Sequence, residues 1–193
     1  MPSLARAVQH RLERFYDLPP SPSIDSFSRA AVAGEREEML VRDQGEHVEL
    51  SVTLPPAGLL AEGRALPLDV LCQVVEGVSH FVYLAAKIEA GDAATQLELE
   101  LQAEVDKFAL LAFAPLAHGD RDAAHAMHAR LYDDVRFLHS AGTEHGDRYR
   151  VANDLAARFC ARVGRESLPA ARSRLLRFYR SGQGEKIRLA RAA

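Results

Sequence analysis

The chain has 193 residues, enough for one domain with a sizeable hydrophobic core. Its apolar fraction of 48% and charged fraction of 26% are those of an ordinary globular protein. Net charge is only −3, and no uninterrupted apolar run reaches the roughly 18 residues of a membrane span. The best candidate for a span, 68–90, is interrupted by Asp69, Glu76, His80 and Lys87.

Gln9, His10 and Arg11 interrupt the apolar residues of the first turns, so a secretory leader is not expected. Cys72 and Cys160 stand far apart among apolar neighbours, outside any Cys-x-x-Cys pair. This pattern predicts buried free thiols, a cytoplasmic location and no zinc or redox motif. The 21 arginines against three lysines, with abundant alanine, suggest a bacterial gene of high GC content. Charge is unevenly distributed: residues 145–193 hold 12 Arg and Lys against 4 Asp and Glu, whereas residues 1–144 hold 12 against 23. Such polarity favours self-association or an anionic partner for the basic end.

In chain order, 3–16 read as a short amphipathic helix with Leu4, Val8, Leu12 and Phe15 near one face. Pro19, Pro20 and Pro22 end it, and 23–34 carry no clear preference. Two alternating runs follow, Met39 and Val41, then Val48, Leu50, Val52 and Leu54; with Asp43-Gln44-Gly45 between them they predict an antiparallel β-hairpin over about 36–54. Such a hairpin is marginal alone and needs helices or a third strand. Pro67 opens the strongest helical segment, 68–89, apolar nearly all round, with one polar stripe of Asp69, Gln73, Glu76, His80, Tyr83 and Lys87. Residues 97–105 alternate strictly, as a strand would, but consist of helix formers and continue at helical spacing through Phe108; helix is favoured. Further helices are expected at 121–138, 147–163 and 170–180, with a short one at 184–191. The predicted fold is α+β, mostly α-helical: a single domain, 1–193, whose helical core surrounds an αα-hairpin over about 68–113. Residues 1–18 and the basic 170–193 are candidate appendages.

Folding 68–90 against 95–113 as an antiparallel hairpin levels His80 with Glu104, and Glu76 with the neighbourhood of Lys107. A Glu76, His80, Glu104 and Lys107 cluster is the candidate catalytic site, because a carboxylate orients an imidazole and raises its basicity. The competing reading is an ordinary salt-bridged helix edge. Glu100 and Glu104 repel as an i,i+4 pair unless cations offset them, and Lys107 can serve Glu104. In the strand reading the acidic row would resemble a metal-dependent nuclease edge, but Val105 occupies the position two residues before Lys107 where such sites place an acid. His125 and His128 are weak metal-ligand candidates at i,i+3, without a His-Glu-x-x-His or Glu-x-x-His pattern. Arg172, Arg174, Arg177, Arg180 and Arg188, with Phe178 and Tyr179, are candidates for binding nucleic acid or an acidic protein. No helix-turn-helix spacing or phosphate-binding glycine loop accompanies them.

No motif specifies a reaction. The first expectation is therefore a non-enzymatic interaction or regulatory module that binds another protein or a second copy of itself, with no cofactor. The alternatives are a metal-dependent or acid/base enzyme on the central helices, and nucleic-acid binding by the arginine-rich end.

Overall fold

The computed structural model describes residues 3–32, 35–43, 48–56 and 66–192. Helix accounts for 64% of it, beside one small mixed sheet, so the fold is α+β and mostly α-helical. The chain divides into two compact units, Met1–Asp92 and Ala93–Ala193. The two arms of the expected hairpin both form as helices, one in each unit.

In the first unit, α1 (Leu4–Tyr16) begins at Ser3, whose hydroxyl accepts the Arg6 N–H at 3.0 Å. Asp17 ends the helix in the left-handed conformation, φ 53°. The proline connector is fastened back onto α1 by buried polar groups. Gln9 accepts the Ile24 N–H at 3.0 Å and donates to Pro22 O at 2.9 Å, while Glu13 accepts from the Ser21 hydroxyl at 2.7 Å. Residues 23–34, unassigned from sequence, contain a 3-10 turn (Ile24–Ser26) and β1 (Ser28–Ala30).

β2 (Glu38–Asp43) and β3 (Val48–Leu54) pair antiparallel, with Leu40 opposite Ser51, as the alternation predicts. Gln44 and Gly45, where the sequence places the connector, lie outside the described residues. β1 adds to β3 in parallel, giving the order β1-β3-β2 and supplying the third strand the hairpin needs. α2 (Leu68–Glu89) lies against β3 and α1, burying Val74, Val75, Val78, Phe81 and Val82. Among the described residues α2 alone is long and apolar enough to cross a membrane, and half of its most apolar window is covered by protein.

In the second unit α3 (Gln96–Leu111) starts at Thr95, whose hydroxyl accepts the Glu98 N–H at 3.1 Å. The alternating stretch is thus helical. α3 packs along α6 (Glu144–Val163), and a short α4 (Phe113–Ala117) leads to α5 (Arg121–Tyr132). α5 stops six residues before the expected end at 138. Asp133 and Asp134 place negative charge at a helix C-terminus, where the dipole disfavours it, and Asn153 of α6 donates to the terminal Tyr132 carbonyl at 3.2 Å. Val135 and Leu138, which continue the apolar spacing of the expected helix, are 36% and 65% exposed. α6 begins earlier than expected because Thr143 caps it through the Gly146 N–H at 3.0 Å. α7 (Leu168–Tyr179) and α8 (Gln183–Arg191) complete the unit. Phe178 is fully buried and meets Phe159 at 4.3 Å between ring centroids.

Candidate carboxylate–histidine site on the central helix

The polar stripe of α2 is matched by the segment that enters β2. Arg36 reaches Asp69 at 3.2 Å, and Gln73 donates to the other Asp69 oxygen at 2.8 Å. Further along, Glu37 Oε1 lies 3.4 Å from His80 Nδ1, with only 7% and 8% of the two side chains exposed. Glu76, one turn before His80, presents a carboxylate oxygen within 4.8 Å of an imidazole nitrogen. Toward the end of the helix Lys87 lies 5.7 Å from the Tyr83 ring centroid and 3.6 Å from Asp92.

Gly77 makes this juxtaposition possible. It sits on α2 where β3 and the residue before β2 cross the helix. A Cβ there would fall 2.7 Å from Leu54 Cδ2, 3.0 Å from Glu37 Cγ and 3.1 Å from Val52 Cγ1. The bare backbone lets Glu37 lie along the helix with its carboxylate at His80. Glu37 Oε1 is buried and receives no hydrogen bond. An imidazole beside a buried and a half-buried carboxylate can hold a proton or a metal ion.

Comparison with protein-family models, with characterised proteins and with solved structures gives no match. The chemistry of the chain is therefore read from its own residues.

Of the sequence-predicted cluster, Glu76 and His80 belong to the first unit, Glu104 and Lys107 to the second. Within α3 the Lys107 ammonium donates to Glu104 at 2.8 Å, the pairing that the i,i+3 spacing allows. Glu100 has Arg148 of α6 at 4.0 Å. Glu37, the carboxylate that touches His80, was missed. In the run Glu35-Arg36-Glu37-Glu38 it reads as a solvated strand flank, and nothing local marks one of those carboxylates as buried.

His125 and His128, the weak metal candidates, both line a pocket of about 110 Å³ with Arg121, Arg165, Phe108 and Cys160. His128 Nε2 engages the Ala157 carbonyl at 3.0 Å and its ring centroid lies 4.8 Å from that of Tyr132, so this imidazole is committed to structure. Cys160 is fully buried and receives the Tyr132 hydroxyl at 3.3 Å. Burial pushes its thiol pKa far above the ordinary range, with the Tyr132 hydrogen bond opposing. In the native protein a thiol reagent is accordingly expected to modify Cys72, which is partly exposed, and to leave Cys160 untouched until the chain is unfolded. Mass spectrometry of the labelled peptides checks this, and early labelling of Cys160 would contradict the packing of α3, α5 and α6.

The arginine-rich end is largely paired within its own unit. Arg174 meets Glu166 at 2.6 Å, while Arg177 and Arg188 share Glu185 at 2.8 and 2.6 Å. Hydrogen bonds from those two arginines hold the Glu185 carboxyl down to about 2. Arg172 and Arg180 lie on exposed positions of α7 and at its end. Lys186, in the same basic end of the chain, is by contrast fully buried. Its ammonium donates to Gln102 Oε1 at 2.5 Å and to Phe178 O at 2.8 Å, and Gln102 donates onward to Asp106 at 2.7 Å.

Proposed function

We propose that the protein is a non-enzymatic interaction module that associates with a second copy of itself through strand β2. The observation that carries this reading is that β2 is an edge strand with Leu40 and Val41 53% and 50% exposed. Among the described residues no strand pairs with its outer side. Edge strands usually carry protection against further pairing, and an uncovered apolar one invites a partner strand.

Backbone polarity limits the register. The Val52 N–H donates to Phe27 O at 2.8 Å and Leu54 O accepts from the Ala31 N–H at 2.7 Å, so alternate residues of β3 face β1. Ser51 and Thr53 therefore face β2, bonding Leu40 and Glu38, their partners in the ladder. Met39 and Val41 must then direct their N–H and C=O groups to the open edge. A two-fold antiparallel pairing uses those groups when Met39 of one copy stands opposite Val41 of the other. This places Leu40 against Leu40 on the axis and sets Glu38 opposite Arg42 on both sides. Apolar matches apolar and charge matches opposite charge, which makes the strand self-complementary.

The test is sedimentation velocity on the whole protein, where the wild type is expected to be dimeric. Arg42→Glu places a carboxylate opposite Glu38 twice and is expected to weaken the dimer about tenfold or more. Within the hairpin the new carboxylate replaces an exposed bridge to Glu49, at 3.4 Å, by a like-charge cross-strand pair, a cost of up to about 1 kcal/mol that leaves the fold in place. The charge-swapped variant Glu38→Arg/Arg42→Glu restores the match and is expected to recover dimerisation. A monomeric wild type at tens of micromolar, roughly the range of a weak dimer, would overturn the reading.

A further inference from the structure

We infer that Glu37, Glu76 and His80 form a binding site for a divalent transition-metal ion of the zinc class. The inference is independent of the β2 dimer, since none of these side chains takes part in the strand pairing.

The first support is geometric. Glu37 Oε1 and His80 Nδ1 stand 3.4 Å apart, and Glu37 Oε1 accepts no hydrogen bond there. That separation is long for a charge-assisted hydrogen bond. It equals the ligand–ligand edge of a tetrahedron whose metal bonds are about 2.0–2.1 Å, which is about 3.4 Å. Glu76 stands one helical turn from His80 on the same stripe, with a carboxylate oxygen within 4.8 Å of an imidazole nitrogen, and is the third ligand of the proposed site.

Charge gives the second support. A nine-tenths-buried carboxylate whose Oε1 accepts no hydrogen bond is costly, and this oxygen lies beside the His80 imidazole. A dication would give that oxygen the partner it lacks, and with a neutral imidazole and two carboxylates it makes a neutral set. Imidazole together with carboxylate oxygen suits zinc and its neighbours in the first transition row better than magnesium or calcium, which favour all-oxygen shells. The third support is the backbone. Gly77 lies between Glu76 and His80 in sequence, and its lack of a side chain admits Glu37 to the helix surface.

The experiment uses the full chain after chelator treatment, with Zn²⁺, Mg²⁺ and Ca²⁺ chlorides as the probes. Saturating Zn²⁺ is expected to raise the melting temperature by about 5 °C or more, with Mg²⁺ and Ca²⁺ giving little change. Glu37→Gln keeps the shape of the side chain and is expected to weaken Zn²⁺ binding by about tenfold or more, and His80→Gln by more still. Co²⁺ in place of Zn²⁺ should give the visible absorption of a four-coordinate site in the wild type, lost in both variants. A His125→Gln/His128→Gln double variant should bind as the wild type does. No Zn²⁺-dependent shift in the folded wild type would overturn the inference, as would a shift that survives His80→Gln or disappears with His125 and His128.

Discussion

Gly77→Val is expected to destabilise the first unit by about 3 kcal/mol or more, the upper end of the cost of overpacking a filled core. The new Cβ alone would meet Leu54 and Val52 at 2.7 and 3.1 Å, and both residues are buried. A branched side chain adds two more carbons at the same crossing. Gly77→Ala separates the two effects, since helix propensity returns about 1 kcal/mol and leaves a smaller net loss. Urea unfolding followed by circular dichroism should therefore order the stabilities as glycine, alanine, valine. Equal midpoints for glycine and valine would mean that α2 does not cross β3 as closely as described. Gly77→Val should also lower zinc affinity, because the same Cβ lies 3.0 Å from Glu37 Cγ and pushes that carboxylate off the helix.

Lys186→Met is expected to cost the second unit about 2–4 kcal/mol. The substitution keeps most of the side-chain volume but removes the ammonium. Gln102 Oε1 and the Phe178 carbonyl, which accept from it at 2.5 and 2.8 Å, lose that donor in the interior. The ring of Phe178, 4.7 Å from Nζ, loses its cation as well. Gln102→Leu should also be damaging, because it removes one acceptor from an ammonium that stays buried. The two together should cost less than their sum, since the double variant orphans fewer polar groups than the single ones combined. Strict additivity would show that Lys186 and Gln102 do not act as a pair.

These two sites mark the boundary of what could be read from the chain. Periodicity located most of the elements, because it reports which face of a helix or strand is apolar. It identified α2 from its single polar stripe, β2 and β3 from alternation, and α3 despite the strict alternation of 97–105, since Leu, Glu, Gln and Ala resist a strand. β1 was not legible: three residues, Ser28–Ala30, carry no pattern, and a parallel pairing is decided by tertiary context. The end of α5 was misplaced because Val135 and Leu138 continue the apolar spacing, while the backbone follows Asp133, Asp134 and the Asn153 cap.

The candidate site was half legible. His80 and Glu76 stand out as polar residues on an otherwise apolar helix. Glu37 does not, because its burial depends on Gly77 and on the path of a segment remote in sequence. Glu98 and Glu100 show the same limit in reverse. In the sequence they are two carboxylates of an acidic row that solvent or arginine would satisfy, and the structure buries them to 3% and 8% exposure, with Arg148 4.0 Å from Glu100. Lys186 sat in a basic run that suggests a surface. A buried polar residue is placed by its partners, and partners are a property of the fold rather than of the local pattern.

Disulfide trapping tests both the self-association through β2 and its register. Leu40 facing Leu40 is a non-hydrogen-bonded pair with Cα atoms about 4.5 Å apart, within disulfide reach. Met39 and Val41 each face the other residue, so their like pairs stand beyond about 7 Å and cannot bridge. Under mild oxidation Leu40→Cys is therefore predicted to form a covalent dimer in high yield, while Met39→Cys, Val41→Cys and the wild type remain unlinked. No cross-link at Leu40, or equal cross-linking at all three positions, would contradict the proposed pairing.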